Sequence, residues 1–161
     1  MKMKHTIAAL VENKPGVLAK ISGLFSARAF NISSLTVGET EVHDISRMTI
    51  VVKGDDRTLE QVVKQLNKLP DVIKVIDFKN EEFIDRDLML VKVSSSSATR
   101  KEIIELATIF RANVLDIGSE SCTLEITGRE SKIEAFLKLL NPYGIKEVAH
   151  TGVVAMARGK K

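Results

Sequence analysis

The chain has 161 residues, of which 44% are hydrophobic, 28% charged and 4% aromatic, and its formal net charge is +3. That is enough apolar material for one domain or two small ones, and the lack of tryptophan and scarcity of other aromatics argue against a platform for stacking bases or sugars. The basic surplus sits in residues 1–80, where 12 basic residues face 9 acidic ones; the only local basic cluster, Arg158, Lys160 and Lys161, is a terminal tail, unlike the concentrated basic face of a nucleic-acid binder.

His5 to Glu12 reads as a strand apolar on both faces, buried on both sides. Asn13-Lys14-Pro15-Gly16 is a turn leading into a helix from Gly16 to Ala29. Pro15 suits the first helical turn, where its missing N–H has no partner to lose. Asn13 or Lys14 then falls at the cap, and Asn is the better capper. Val17, Leu18, Ile21, Leu24 and Phe25 make the apolar stripe. Ala19, Gly23 and Ala27 make a second face of small side chains. It suits close approach of another helix or a ligand, or equally a helix lying tightly on its own sheet.

Asn31 to Gly38 reads as a strand with Leu35 and Val37 on one face. Ile32 has the opposite parity and is expected to point away from that core. A polar connection leads to a third strand, Ile45 to Lys53. A helix from Thr58 to Lys68 follows, with Leu59, Val62, Val63, Leu66 and Leu69 inward, and Pro70 stops it. Val72 to Phe78 is a fourth strand. This order, βαββαβ, is the ferredoxin-like plan.

The charged run Lys79 to Asp87 reads as a linker, after which the plan repeats. Leu88 to Val93 is a strand. Thr99 with Glu102 has the pattern of a capping box, ahead of a helix with Ile103, Leu106, Ala107 and Phe110 inward. Val114 to Gly118 and Ser121 to Thr127 form a hairpin that places Cys122, Leu124 and Ile126 on one face. A helix from Gly128 carries Ile133, Phe136, Leu137 and Leu140. Ile145 to Ala149 is a strand, and Val153 to Met156 a last short apolar segment. The fold class is therefore α+β, with two related ferredoxin-like domains.

Catalytic chemistry is not visible. His5, His43 and His150 lack ligand or nucleophile partners at useful spacing, and the Asp and Glu clusters fall in loops and on helix surfaces. No phosphate-binding or dinucleotide-binding glycine pattern occurs. The single Cys122 forbids an intrachain disulfide and a cysteine zinc site; divalent-metal binding at one of the carboxylate clusters is weakly supported, and no metal ligand is assigned. No apolar run approaches 18 residues and no signal-peptide layout is present, so no membrane span is expected and the expected location is cytoplasmic.

What remains is the stretch from Asn13 to Ile32. A helix start offers free N–H groups and the positive end of a dipole to a carboxylate. Gly16 lets a ligand approach the backbone. Asn13 and Asn31 offer both donors and acceptors, and Ile32 can cover a small branched side chain. Burying that side chain is worth on the order of 2 kcal/mol, whereas micromolar affinity needs about 8 kcal/mol, so polar contacts must supply much of the rest. The same residues are also consistent with a plain cap, a packing glycine and a turn.

The run NKPGVLAKISGLFSARAFNISSLTVGETE, followed by SRMTIVVKGDD and LEQVVKQLNKL, resembles the small regulatory subunit of acetolactate synthase (acetohydroxyacid synthase). DLMLVKV, TIFRANVLDIG, LEITG, SKIEAFLKLL and VAHTGVVAMARG extend the resemblance over essentially the whole chain. It implies an N-terminal ACT domain over residues 1–79, a linker over 80–87 and a second ferredoxin-like domain over 84–161. It implies a non-catalytic subunit that activates a thiamine-diphosphate-dependent large subunit, a transferase, and confers feedback inhibition by valine in branched-chain amino acid biosynthesis. Thiamine diphosphate, Mg and FAD then belong to the catalytic subunit. The implied partners are a second copy, through the ACT domains, and the large subunit, with no nucleic acid or membrane.

By the same resemblance valine sits between two ACT domains, held by Asn13, Gly16, Asn31 and Ile32, with Lys14, Pro15, Val17 and Leu18 as further lining. The chain departs from the family at Ala29, where glycine is usual. A left-handed backbone there costs an alanine about 1 kcal/mol or more. A stand-alone amino-acid sensor on an ACT domain, without an enzyme partner, is the alternative reading.

Overall fold

A computed structural model describes residues 3–159. The chain divides into two compact units: one runs to Ile84 and regains the chain from Val153, the other is Asp85–Gly152.

In the first unit the order is β1 (Lys4–Glu12), α1 (Val17–Ala27), β2 (Asn31–Glu39), β3 (Ile45–Lys53), α2 (Asp56–Asn67) and β4 (Val72–Asp77). The sheet order is β2-β3-β1-β4. Alternation sets its faces: Ile7, Ala9 and Val11 of β1 and Met48, Ile50 and Val52 of β3 turn towards the helices. There they pack with Ile21 and Phe25 of α1 and Leu59, Val62 and Leu66 of α2. Each fully buried Val, Leu, Ile, Phe or Met among them contributes roughly 1.5–3 kcal/mol relative to exposure.

β1 is indeed buried on both sides. Its Ala8 packs with Phe78 and Ala155 on the face away from the helices. Ala155 belongs to β9 (Val154–Ala157), which pairs with β5 (Phe83–Ser94), and two long-range bonds tie this segment to the first sheet. Arg47 Nη2 donates to the Ala155 carbonyl at 2.7 Å, and the Val153 N–H donates to Ser34 Oγ at 2.9 Å. By packing, the segment from Val153, expected within a domain over 84–161, groups with the first unit, while its strand pairs with β5.

Ile32 does not point away from the core. It lies opposite Val52, and Leu35 lies opposite Ile50, so both face the helix side. A bulge at Ser33 shifts the register between them, and one extra residue reverses the parity on which the sequence expectation rests. Ile32 packs against the core cluster, while Leu35 and Val37 are 36% and 44% exposed because β2 is an edge strand that the helices do not reach.

The second unit contains most of β5 (Phe83–Ser94), α3 (Arg100–Ile109), β6 (Asn113–Ile117), β7 (Ser121–Gly128), α4 (Glu130–Leu140) and β8 (Ile145–His150), with sheet order β6-β7-β5-β8. Met89, Val91, Val93, Cys122, Leu124 and Ile126 meet Ile103 and Ala107 of α3 and Ile133, Phe136 and Leu140 of α4. Burial raises the Cys122 thiol above its ordinary pKa.

Two local expectations differ. Phe83 to Asp87, read as linker, is strand, so regular structure begins five residues before Leu88. Thr99 makes no side-chain cap. Its hydroxyl instead accepts from the Ser96 N–H at 3.0 Å, and Glu102 accepts from the Tyr143 hydroxyl at 2.6 Å, so both members of the expected capping box are engaged elsewhere.

Candidate functional site

The start of α1 is open. Its N-cap is Gly16, with φ 85, not Asn13 or Lys14; no side chain caps the helix, and its first turn carries no acidic residue. α2 differs at each point: Asp55 accepts from the Thr58 N–H at 2.8 Å, and Asp56 follows in the first turn. Gly16 takes the left-handed backbone that an L side chain resists, although a Cβ there would meet nothing within 4 Å. Pro15 lies in the turn before the helix, with Val17 as the first helical residue.

Asn13 is a brace. Its backbone N–H donates to the Asp44 carbonyl at 2.8 Å. Its Nδ2 donates to the His43 carbonyl at 2.9 Å and to Glu39 Oε1 at 3.1 Å. Both amide hydrogens are thereby spent on the β2–β3 connection, and Oδ1 remains as an acceptor. Glu39 and the long hairpin loop are thus part of this end of the site; no sequence spacing links them to Asn13, 26 residues away. Lys14 Nζ pairs with Glu12 at 2.9 Å, which raises the lysine pKa.

Asn31 and Ile32 lie at the other end. They line a groove of about 570 Å³ between the last turns of α1 and edge strand β2, together with Ser22, Ser26, Phe30 and Leu35. Asn31 makes no side-chain hydrogen bond among the described residues. The segment entering it carries the departure noted above: Ala29 has φ 53 and is left-handed despite its Cβ. The Phe30 N–H donates to the Phe25 carbonyl at 3.1 Å and the Ala29 N–H to the Ser26 carbonyl at 3.2 Å, closing the helix end.

One chain does not bring these two groups together. β2 runs from Asn31 to Glu39, eight steps at about 3.3 Å, or roughly 26 Å. Leu18, expected inward, is 47% exposed, and Ala19, Gly23 and Ala27 face solvent, so the small-residue face does not lie on its own sheet.

Elsewhere each histidine has a carboxylate neighbour that sequence spacing hides in two of three cases. His5 Nε2 is 3.8 Å from Asp56, His43 Nδ1 3.3 Å from Glu39 and His150 Nδ1 3.3 Å from Asp87. Among the described residues no group of three or more His, Cys, Asp or Glu could hold a metal ion, and no helix is long and apolar enough to cross a membrane.

Comparison with known proteins identifies the family. Residues 7–74 match the family described as AHAS small subunit-like ACT domain, and residues 86–159 match the small subunit of acetolactate synthase. The chain is 57% identical over 159 residues to a probable acetolactate synthase small subunit of Archaeoglobus fulgidus, covering 99% of both. It is 48% identical to the acetolactate synthase small subunit of Bacillus subtilis, covering 98% of this chain and 92% of the other. The crystal structure of the acetolactate synthase small subunit from Thermotoga maritima superposes with a TM-score of 0.90 at 45% identity, over 99% of both chains. The chain belongs to the acetolactate synthase small-subunit family, with an ACT domain at its N-terminus.

Proposed function

We propose that the chain is a non-catalytic regulatory subunit that binds valine between two copies of its ACT domain and transmits occupancy to a large, thiamine-diphosphate-dependent catalytic subunit. The observation that carries this is the placement of the two candidate groups at opposite ends of the exposed edge strand β2. Such an edge offers unpaired backbone groups to another strand.

If two copies pair antiparallel through β2 about a two-fold axis, the Asn31 end of one meets the Glu39 end of the other. The open start of the partner copy's α1 then faces the groove beside Asn31 and Ile32. A carboxylate suits that helix start, an ammonium suits the free Asn13 oxygen, and a branched apolar side chain suits Ile32 and Leu35. Two identical sites form per dimer. The family and its name support the catalytic partner; activation of it and its inhibition by valine are the functions assigned to this site. A cytoplasmic location fits a soluble biosynthetic partner.

Titration calorimetry with valine, leucine and isoleucine, alone and with the catalytic subunit, tests the assignment. Valine is expected to bind one per chain. The related side chains differ by about one methylene, so discrimination of roughly 1–3 kcal/mol is expected. No heat with any branched-chain amino acid, in either setting, contradicts the reading. Binding without any effect on, or association with, the catalytic subunit favours a stand-alone sensor.

A further inference from the structure

A second cleft adjoins the effector groove. It has a volume of about 580 Å³ and lies between the end of α1, the end of β3 and the start of α2. Three cations line it: Arg28, Lys53 and Arg57. None makes an ion pair or side-chain hydrogen bond among the described residues. The one carboxylate in the wall, Asp55, accepts from the Thr58 N–H at 2.8 Å and the Thr58 hydroxyl at 2.9 Å, both through Oδ1, and feels the Arg57 charge, so the lining keeps a cationic excess.

Three like charges lining one cleft create a positive potential that attracts anionic groups. The helix start is closed by its own cap, so a ligand here would be held by the side chains and not by the helix N–H groups. The cleft is open to solvent and can receive acidic side chains from a partner's surface.

We infer that this cleft docks an acidic segment of the catalytic subunit. The inference rests on the regulatory reading above and deepens it. The turn Ala29–Phe30–Asn31 is a wall of both the cationic cleft and the effector groove. A partner seated on Arg28 and Arg57 therefore touches the segment that presents Asn31 to the effector.

The test is the association of the full chain with the catalytic subunit, followed by rate and equilibrium at several salt concentrations. Arg28→Glu with Arg57→Glu is expected to slow association about 10- to 100-fold at low ionic strength, with the difference shrinking as salt rises. Arg28→Lys with Arg57→Lys, which keeps the charge, is expected to stay near wild type. Lys74→Glu, on the opposite edge strand β4, is the control for general charge and is expected to change little. If the double reversal lowers the melting temperature, Arg28→Gln with Arg57→Gln replaces it with the same readout.

Wild-type association in the reversed variant overturns the docking site, as does an equal loss in Lys74→Glu. Valine calorimetry on the isolated variants separates the two claims. Retained valine binding with lost association supports the docking site, whereas absent valine binding in the wild type overturns the regulatory reading itself.

Discussion

The two units are variations on one βαββαβ plan, and they diverge where a ligand would sit. Their helix ends match closely. Ala29 and Arg111 are both left-handed, with φ 53 and 55. Phe30 and Ala112 then donate back to Phe25 and Ala107. Asn31 and Asn113 each open an edge strand, and each strand is bulged two residues later. The helix starts differ. α1 begins at an open glycine, whereas α3 begins where Ser96 and Thr99 bond each other. The asparagines differ as well. Asn113 Nδ2 donates to Glu125 at 3.1 Å, while the Asn31 side chain has no partner among the described residues. β2 has nine residues and β6 five. The fold supplies the same positions twice, and caps, loop lengths and one unsatisfied amide distinguish the copy proposed to bind the effector.

That contrast breaks most easily at Gly16. Gly16→Asp places a carboxylate where the effector carboxylate is expected, and like charges in contact cost several kcal/mol. Valine affinity should fall about 100-fold or more by calorimetry. Folding should survive, because Asp tolerates a left-handed backbone better than most residues and its Cβ meets open space. Undiminished valine affinity in this variant removes Gly16 from the site. A smaller effect is expected at the asparagines. Asn31→Ala should weaken valine by about 1–2 kcal/mol, roughly tenfold, as one polar contact is lost. Asn113→Ala, its counterpart, should leave valine binding unchanged. Equal effects from the pair mean that the second unit takes part in the site.

The shared helix end gives a weaker test of the likeness. Ala29→Gly and Arg111→Gly each relieve a left-handed backbone, by about 1 kcal/mol. Each should raise the melting temperature by roughly 2–4 °C in a chain of this size, and a drop in either shows that its side chain contributes more than its backbone costs. The smallest effect concerns pH. The Thr58 hydrogen bonds hold the Asp55 carboxyl below its ordinary pKa. Its contribution to stability is present above the unfolded carboxyl's pKa and is lost as pH falls through the folded one. Asp55→Asn should make acid unfolding, followed by circular dichroism, less steep in that range; an identical acid limb contradicts the role of this cap.

Much of this was legible in the sequence, because the elements are amphipathic and turn residues mark their ends. The pairing of β3 with its expected span Ile45–Lys53 is one case. Three things were not. The bulge at Ser33 follows from tertiary pairing and reverses the parity of Ile32 without any sequence mark. The cap expected of Asn13 is absent because its amide reaches a hairpin loop 30 residues away. The return of Val153–Ala157 to the first unit depends on Arg47 and Ser34, each more than 100 residues distant. Of the site itself, the residue types were readable from Asn13 to Ile32, whereas their separation to opposite ends of β2 required the structure.

The central claim is that each effector site takes one end from each of two chains, and mixing two impaired variants tests it directly. Gly16→Asp and Asn31→Ala homodimers each lack an intact site. In a mixed dimer, one site combines both defects and the other combines Gly16 of one chain with Asn31 of the other. Random exchange should therefore restore high-affinity valine binding to about a quarter of wild-type stoichiometry, because half the dimers are mixed and each holds one intact site of two. If dimer exchange is confirmed and no high-affinity site reappears, the site lies within a single chain and the account is wrong.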